Sequence, residues 1–334
     1  MRQLFKKILL FALLIFAIGI ELSAFLPRNT YWGNKEYAWK INEYKKDHYN
    51  TVWYGTSRIY RGINPLVFDS LVNQNTTTPI KSFNLATHAS WASETFYLYD
   101  AFLHDTTLSN GVNLVFMEFQ NILSIRPGRL GSEKSIYYQN PEHYWFMLKY
   151  SIHEVFRDPK KILTSAYSIS VYSLSTFLNF TNIKKINTKR DTAPPEDVED
   201  INSRGYLGFK ELKESNVTEE NIQSFTDNIR QYLYVNNREY NMAYYEKIMD
   251  LIEKSNRRGI KLIFVLPPVR LTEGMMAVYN ALPEESKVDV CDPAKYPELY
   301  NKDNWIDPVH LNVNGSSYLT ENVVNEVLKK RFIQ

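Results

Sequence analysis

Helical and strand-like patterns alternate along this chain, and that alternation restricts its fold more than any other feature. It is plainest where an amphipathic stretch, 240–258, ends at Gly259 and gives way to the apolar run 260–266, which Pro267-Pro268 stops. Apolar residues at helical spacing, then a glycine, then a short continuous apolar run, read as an amphipathic helix feeding a buried strand. The same order appears earlier. Thr51-Val52-Trp53-Tyr54 is β-branched and aromatic and ends at Gly55, and strands 80–85 and 112–119 follow. Helices lie between them: one opens on Asn64-Pro65, a capping residue followed by proline at the first helical position, and another covers 90–104. A shorter strand, 288–291, and a final helix, 314–330, complete the set. Strands alternating with helices predict an α/β fold, a three-layer wound sheet of about five parallel strands.

Between the third and fourth strands the alternation lapses. The sheet domain is therefore read in two parts, 51–120 and 237–334, separated by a largely helical insertion, 121–236. Within the insertion, 142–180 is helical and aromatic, and 184–202, polar and carrying Pro194-Pro195, reads as a mobile linker. Upstream, residues 28–50 form a neck in which Tyr37, Trp39, Ile41 and Tyr44 are spaced as one loose helical face. Residues 1–27 read as a membrane anchor or signal segment, because Arg2, Lys6 and Lys7 precede an apolar stretch, 8–26, whose only charge is Glu21. A helix of that length rises roughly 28 Å, close to the hydrocarbon thickness of a bilayer. With the basic flank cytoplasmic, the remainder is expected outside, in the periplasm or at the cell surface. Ala17-Ile18-Gly19 offers a small-residue cleavage site, but apolar character continues through Leu22, Phe25 and Leu26, which favours an uncleaved transmembrane helix.

Composition removes several classes of function. The 334 residues carry 39 basic and 37 acidic side chains, a net charge of +2 without a long single-sign run, so nucleic acid is not an expected partner. Cys291 is the single cysteine, which excludes an intrachain disulfide and any zinc site of the usual cysteine spacing. A mean hydropathy of −0.38 excludes a polytopic membrane protein.

Two short groups near opposite ends of the chain make chemical sense together: Gly55-Thr56-Ser57-Arg58 after the first strand, and Asp307-Pro308-Val309-His310 before the last helix. A serine hydroxyl needs an imidazole to take its proton and a carboxylate to orient that imidazole. Gly-x-Ser alone is a weak signal. Of the six histidines, however, His310 alone has a carboxylate three residues before it. In open α/β sheets ligands bind beyond the carboxyl ends of the strands, where loops distant in sequence converge. Ser57, His310 and Asp307 are therefore the expected catalytic triad.

With Ile63-Asn64-Pro65, Asn84-Leu85-Ala86-Thr87-His88-Ala89 and Asp307-Pro308-Val309-His310-Leu311-Asn312 followed by Gly315, these groups resemble the first, second and fifth blocks of the SGNH/GDSL hydrolase superfamily. The resemblance implies Ser57 as nucleophile, with His310 and Asp307 completing the triad. It also implies an oxyanion hole, for which the candidates are the Ala89 backbone N–H, where the family carries glycine, and, for the family's block-three asparagine, either Asn121, about one residue out of place, or Gln120. Arg58 is a candidate substrate-binding group, with pairing to Glu118 or Asp307 as its structural alternative. Trp91 and Trp305 lie near the expected loops, either as sugar-stacking surfaces or as core and lid packing.

Anchored chains of this layout resemble the extracytoplasmic proteins of alginate O-acetylation and teichoic-acid D-alanylation. That resemblance implies a serine O-acyltransferase acting on a cell-surface or exported polysaccharide, with an acyl donor and a membrane-bound O-acyltransferase as partners. The alternatives are a carbohydrate esterase using the same triad and a non-catalytic scaffold of polysaccharide assembly. None of the three requires a metal or an organic cofactor.

Overall fold

A computed structural model describes residues 2–25, 34–122, 141–163, 165–167, 169–170, 204–208, 216–235 and 239–333. They fall into two compact units, one of residues 1–35 with 123–192, the other of 36–122 with 193–334.

In the first unit the apolar N-terminal stretch forms a single helix, α1 (Arg2–Phe25). Leu4, Phe5, Leu10 and Phe11 on it are exposed. The spanning segment expected over 8–26 is thus helical as far as Phe25, and position 26 lies outside the described residues. Among the described residues no helix is long and apolar enough to cross a membrane. The same unit contains the helix α7 (Pro141–Arg157) of the insertion. The linker expected at 184–202 lies outside the described residues.

The second unit is the α/β body. Its elements run α2 (Lys35–Tyr44), β1 (Thr51–Tyr54), α3 (Ser57–Gly62), α4 (Pro65–Asn73), β2 (Ser82–Asn84), α5 (Ala92–His104), α6 (Thr106–Ser109), β3 (Leu114–Glu118), α8 (Glu219–Leu233), α9 (Met242–Arg257), β4 (Lys261–Leu266), α10 (Glu273–Ala281), β5 (Lys287–Asp289), β6 (Trp305–Asp307), β7 (His310–Leu311) and α11 (Val313–Lys329). Five strands form one sheet in the order β2-β1-β3-β4-β5, and every pair in it is parallel. Strand order reverses between β1 and β3, so the crevice at their carboxyl ends is the place where such a sheet receives a ligand.

Alternation along β1 assigns the two faces. Trp53 stacks on Phe116 with ring centroids 4.3 Å apart and meets Phe68 of α4 edge-on at 4.9 Å. Its neighbour Tyr54 points the opposite way, against Tyr99 and Phe102 of α5. Helices α4 and α11 pack together over one face, and α5 and α9 over the other, which makes three layers. All five strands are buried apart from partial exposure at Lys261 and Asp289, as a sheet covered on both sides requires.

Two segments join this body more closely than their sequence positions suggest. Helix α2, from the neck, is buried at Tyr37, Ala38, Trp39, Lys40, Ile41 and Tyr44, so it is covered well beyond one face. The Tyr37 and Tyr54 hydroxyls are 2.9 Å apart, and the Tyr44 hydroxyl donates to the Leu108 carbonyl at 2.9 Å. From the insertion, residues 204–208 lie along β2: Asn84 N–H donates to the Arg204 carbonyl at 2.9 Å, and the Arg204 guanidinium pairs with Asp69.

Candidate active site

The turn after β1 is shaped by a buried carboxylate. Glu118, the last residue of β3, accepts from the Thr56 N–H and from Arg58 Nε, both at 2.6 Å. Gly55 is required by that approach, since a Cβ there would lie 2.9 Å from Glu118 Cβ and 2.6 Å from Ile59 Cγ1. Thr56 then caps the short helix α3, its hydroxyl accepting from Arg58 N–H at 3.2 Å. Ser57 is the first helical residue and is buried. Asn84 fixes the far end of α3 by donating to the carbonyls of Ile59 and Ile63 at 2.9 and 3.0 Å.

The other half of the site is a two-stranded antiparallel hairpin, β6–β7, in which Asp307 pairs with His310 across Pro308-Val309. Asp307 Oδ1 accepts from the backbone N–H groups of Val309 at 2.8 Å and His310 at 2.9 Å, the usual way an aspartate closes a turn. Its Oδ2 lies 2.8 Å from His310 Nδ1. Burial pushes the Asp307 carboxyl upward, but the hydrogen bonds from the His310 ring and from the Val309 and His310 N–H groups, with the imidazole's charge, outweigh it and hold the carboxyl below its ordinary value. Asn312 caps α11 by accepting from Gly315 N–H at 3.1 Å, and α11 fastens the hairpin to the body. Gly315 is another enforced glycine, because a Cβ would come within 2.4 Å of the Asn304 carbonyl oxygen.

These halves, 253 residues apart, meet at a 2.7 Å contact between Ser57 Oγ and His310 Nε2. Hydroxyl, imidazole and carboxylate form one continuous hydrogen-bonded line at the carboxyl end of β1, on the crevice where strand order reverses. A neutral ring that keeps its proton on Nδ1, facing the carboxylate, presents Nε2 as an acceptor for the serine hydroxyl. The arrangement can deprotonate Ser57 as it attacks an electrophilic carbon.

The other candidate residues are placed differently from one another. Arg58 gives its Nε to Glu118, the pairing named as its structural alternative, and so braces the turn. Gln120 is buried and its side-chain amide donates to Thr95 Oγ1 at 3.1 Å, which turns it toward α5. Asn121 is half-buried and follows β3. Ala89 is exposed with φ +50°, a left-handed conformation that a residue with a Cβ adopts at a cost of about 1–2 kcal/mol. Trp305 is buried, with Nε1 donating to the Leu299 carbonyl at 2.8 Å, and so is a core residue rather than a sugar platform.

Sequence patterns did not show the loop that carries Ala89 to be tied down on two sides. Toward Ser57, Thr87 N–H and Ser90 Oγ both donate to the Gly55 carbonyl, at 3.1 and 3.0 Å. Toward α2, the Lys40 amine donates to the Ala86 carbonyl, and Glu36 Oε2 accepts from His88 N–H at 2.6 Å. Lys40 is fully buried with its amine 3.6 Å from the Tyr60 ring centroid. Burial pulls that amine down to about 7, against the negative charge of Glu36 and with help from Arg61. A lysine between Trp39 and Ile41, on a helix with Tyr37 and Tyr44, was the available signal.

Compared with protein-family models, with curated proteins and with solved structures, the chain returns no match.

Proposed function

We propose that this chain is a membrane-anchored, SGNH-like serine O-acyltransferase that modifies a cell-surface or exported polysaccharide outside the cytoplasm. The observation that carries the reading is the unbroken line from Ser57 Oγ through the His310 ring to Asp307 at the strand-order reversal. His310 Nε2 takes the Ser57 proton while Oγ forms a bond to the acyl carbon of the donor. The donor's leaving group departs with that proton, which leaves Ser57 as an ester. A sugar hydroxyl then attacks the ester, gives its proton to His310, and leaves with the acyl group as Ser57 Oγ is reprotonated. Asp307 holds the imidazole and balances its transient charge throughout. The Ser57 and Ala89 N–H groups are the proposed oxyanion donors.

The membrane part of the reading is supported by the exposed apolar side chains of α1 and by the basic residues at its start. An anchored acyl acceptor of this kind requires an acyl group delivered at the membrane, which makes a membrane-bound O-acyltransferase the proposed partner. A second reading, an esterase removing such groups, is favoured by one observation: the side chains of His310 and Asp307 are 16% and 40% exposed, so water reaches the base.

Labelling by a fluorophosphonate tests the acyl-enzyme. The full-length chain is expected to take the label and Ser57→Ala to lose it entirely, with ester content of the surface polysaccharide falling in cells that carry the variant. A rise in that content would favour the esterase. A wild-type chain that resists the label, together with unchanged acylation in Ser57→Ala, would leave a non-catalytic scaffold of polysaccharide assembly.

A further inference from the structure

Helix α2 contributes two side chains to the loop 86–90, and neither belongs to the triad. Glu36 and Lys40 are four residues apart, one turn of the helix, and so share a face. Lys40 takes the Ala86 carbonyl and Glu36 takes the His88 N–H, so two consecutive attachments precede Ala89. Ala89 is the residue in the loop that needs holding. Its φ of +50° is strained for a side chain with a Cβ, and it is exposed, so packing around its own side chain does not enforce the conformation. On the opposite side the loop is docked to the Gly55 carbonyl, two residues before the nucleophile.

We infer that Glu36 and Lys40 are positioning residues that hold the loop 86–90 in the strained form in which the Ala89 N–H is directed at the oxyanion. The inference rests on the acyl-enzyme reading above. It assigns α2 a part in the chemistry: the helix sets the oxyanion loop from one side while Glu118 sets the nucleophile from the other. A glycine at position 89 would adopt the same φ without strain, so a family member with glycine there needs no such clamp, and this chain with alanine does.

Fluorophosphonate capture reads the role directly, because Ser57 Oγ bonds to phosphorus, fluoride leaves, His310 takes the proton, and the developing P–O⁻ seeks the same donors as an acyl oxyanion. In the full-length chain, Glu36→Ala is expected to slow labelling by about tenfold or more, to speed amide hydrogen exchange across 86–90, and to leave the cooperative melting transition in place. Glu36→Gln, which keeps an acceptor oxygen, should retain most of the rate. Ala89→Gly added to Glu36→Ala should restore most of what was lost. A chain that labels normally but in which Glu36→Ala labels as fast as wild type would overturn this role alone. So would a slowed Glu36→Ala that Ala89→Gly fails to restore. A wild-type chain that takes no label would overturn the acyl-enzyme reading and this role with it, even if exchange showed the loop to be clamped.

Discussion

The turn after β1 and the hairpin β6–β7 supply the two sides of one hydrogen bond, yet they hold their residues in different ways. Around Gly55, Thr56 and Ser57 the holding contacts beyond the local Thr56 cap are tertiary: Glu118 reaches across from β3, Asn84 from β2 and the loop 86–90 from beyond β2. The hairpin is nearly self-sufficient. Asp307 closes its own turn and orients its own histidine, and its side chain is partly open to solvent. A nucleophile needs a fixed place relative to distant donors, whereas an acid–base pair needs mainly a fixed relation between its own two members. Damage to the first region should therefore appear as lost stability and lost activity together, and damage to the second as lost activity alone.

Asp307→Asn offers the largest test. With the ring no longer held in the required tautomer, the labelling rate should fall about 10⁴-fold while the melting temperature stays close to wild type. A collapse of the fold would show that the hairpin is not self-sufficient. Glu118→Ala should do the reverse in kind. It strands the Thr56 N–H and the Arg58 guanidinium in a partly buried setting, at a cost of about 3 kcal/mol in urea unfolding, and labelling should slow as Ser57 loses its brace.

Lys40 tests the packed side by titration. In the unfolded chain its amine keeps a proton up to the ordinary 10.5, and in the folded one only to about 7. The unfolded state therefore binds more protons between those values, so stability should rise with pH across that window. Lys40→Met should flatten the rise. If its slope equalled that of wild type, the buried amine would not be its source. The smallest effect belongs to Asp307 at acid pH. Because its folded carboxyl lies below the ordinary 3.8, its contribution is present above that value and is lost as pH falls through the lowered one. Partial exposure keeps that contribution under about 1 kcal/mol. Comparison of urea midpoints for wild type and Asp307→Asn between pH 5 and 2 measures it, and a larger loss would mean that the hairpin carries more of the fold than its local bonding implies.

The same division explains what sequence reading reached. β1 (Thr51–Tyr54) was legible residue for residue because Gly55 ends it, and α9 was legible because Gly259 follows an amphipathic pattern. These are local signals. The short helix α10 (Glu273–Ala281) was not seen, since it follows two prolines and contains Gly274, both of which argue against a helix. The hairpin escaped notice because its strands are only three and two residues long, and their pairing depends on the aspartate that closes the turn. At the site, Ser57, His310 and Asp307 were singled out by the Asp-x-x-His spacing together with the resemblance to the SGNH/GDSL blocks. Pairing of Arg58 with Glu118 was one of the alternatives the residues suggested, but the Thr56–Glu118 contact spans 62 residues and the α2 contacts span 46 and 52, distances over which no pattern in the chain speaks. The placement of 204–208 beside β2 likewise carries no local mark.

The 253 residues between Ser57 and His310 also set an order in time. Synthesis delivers Ser57 well before the hairpin that carries His310, so the hydroxyl stays without its proposed base until β7 has folded against α3. Folding of that late-made hairpin, rather than of the early turn, is then the step that completes the hydrogen-bonded line.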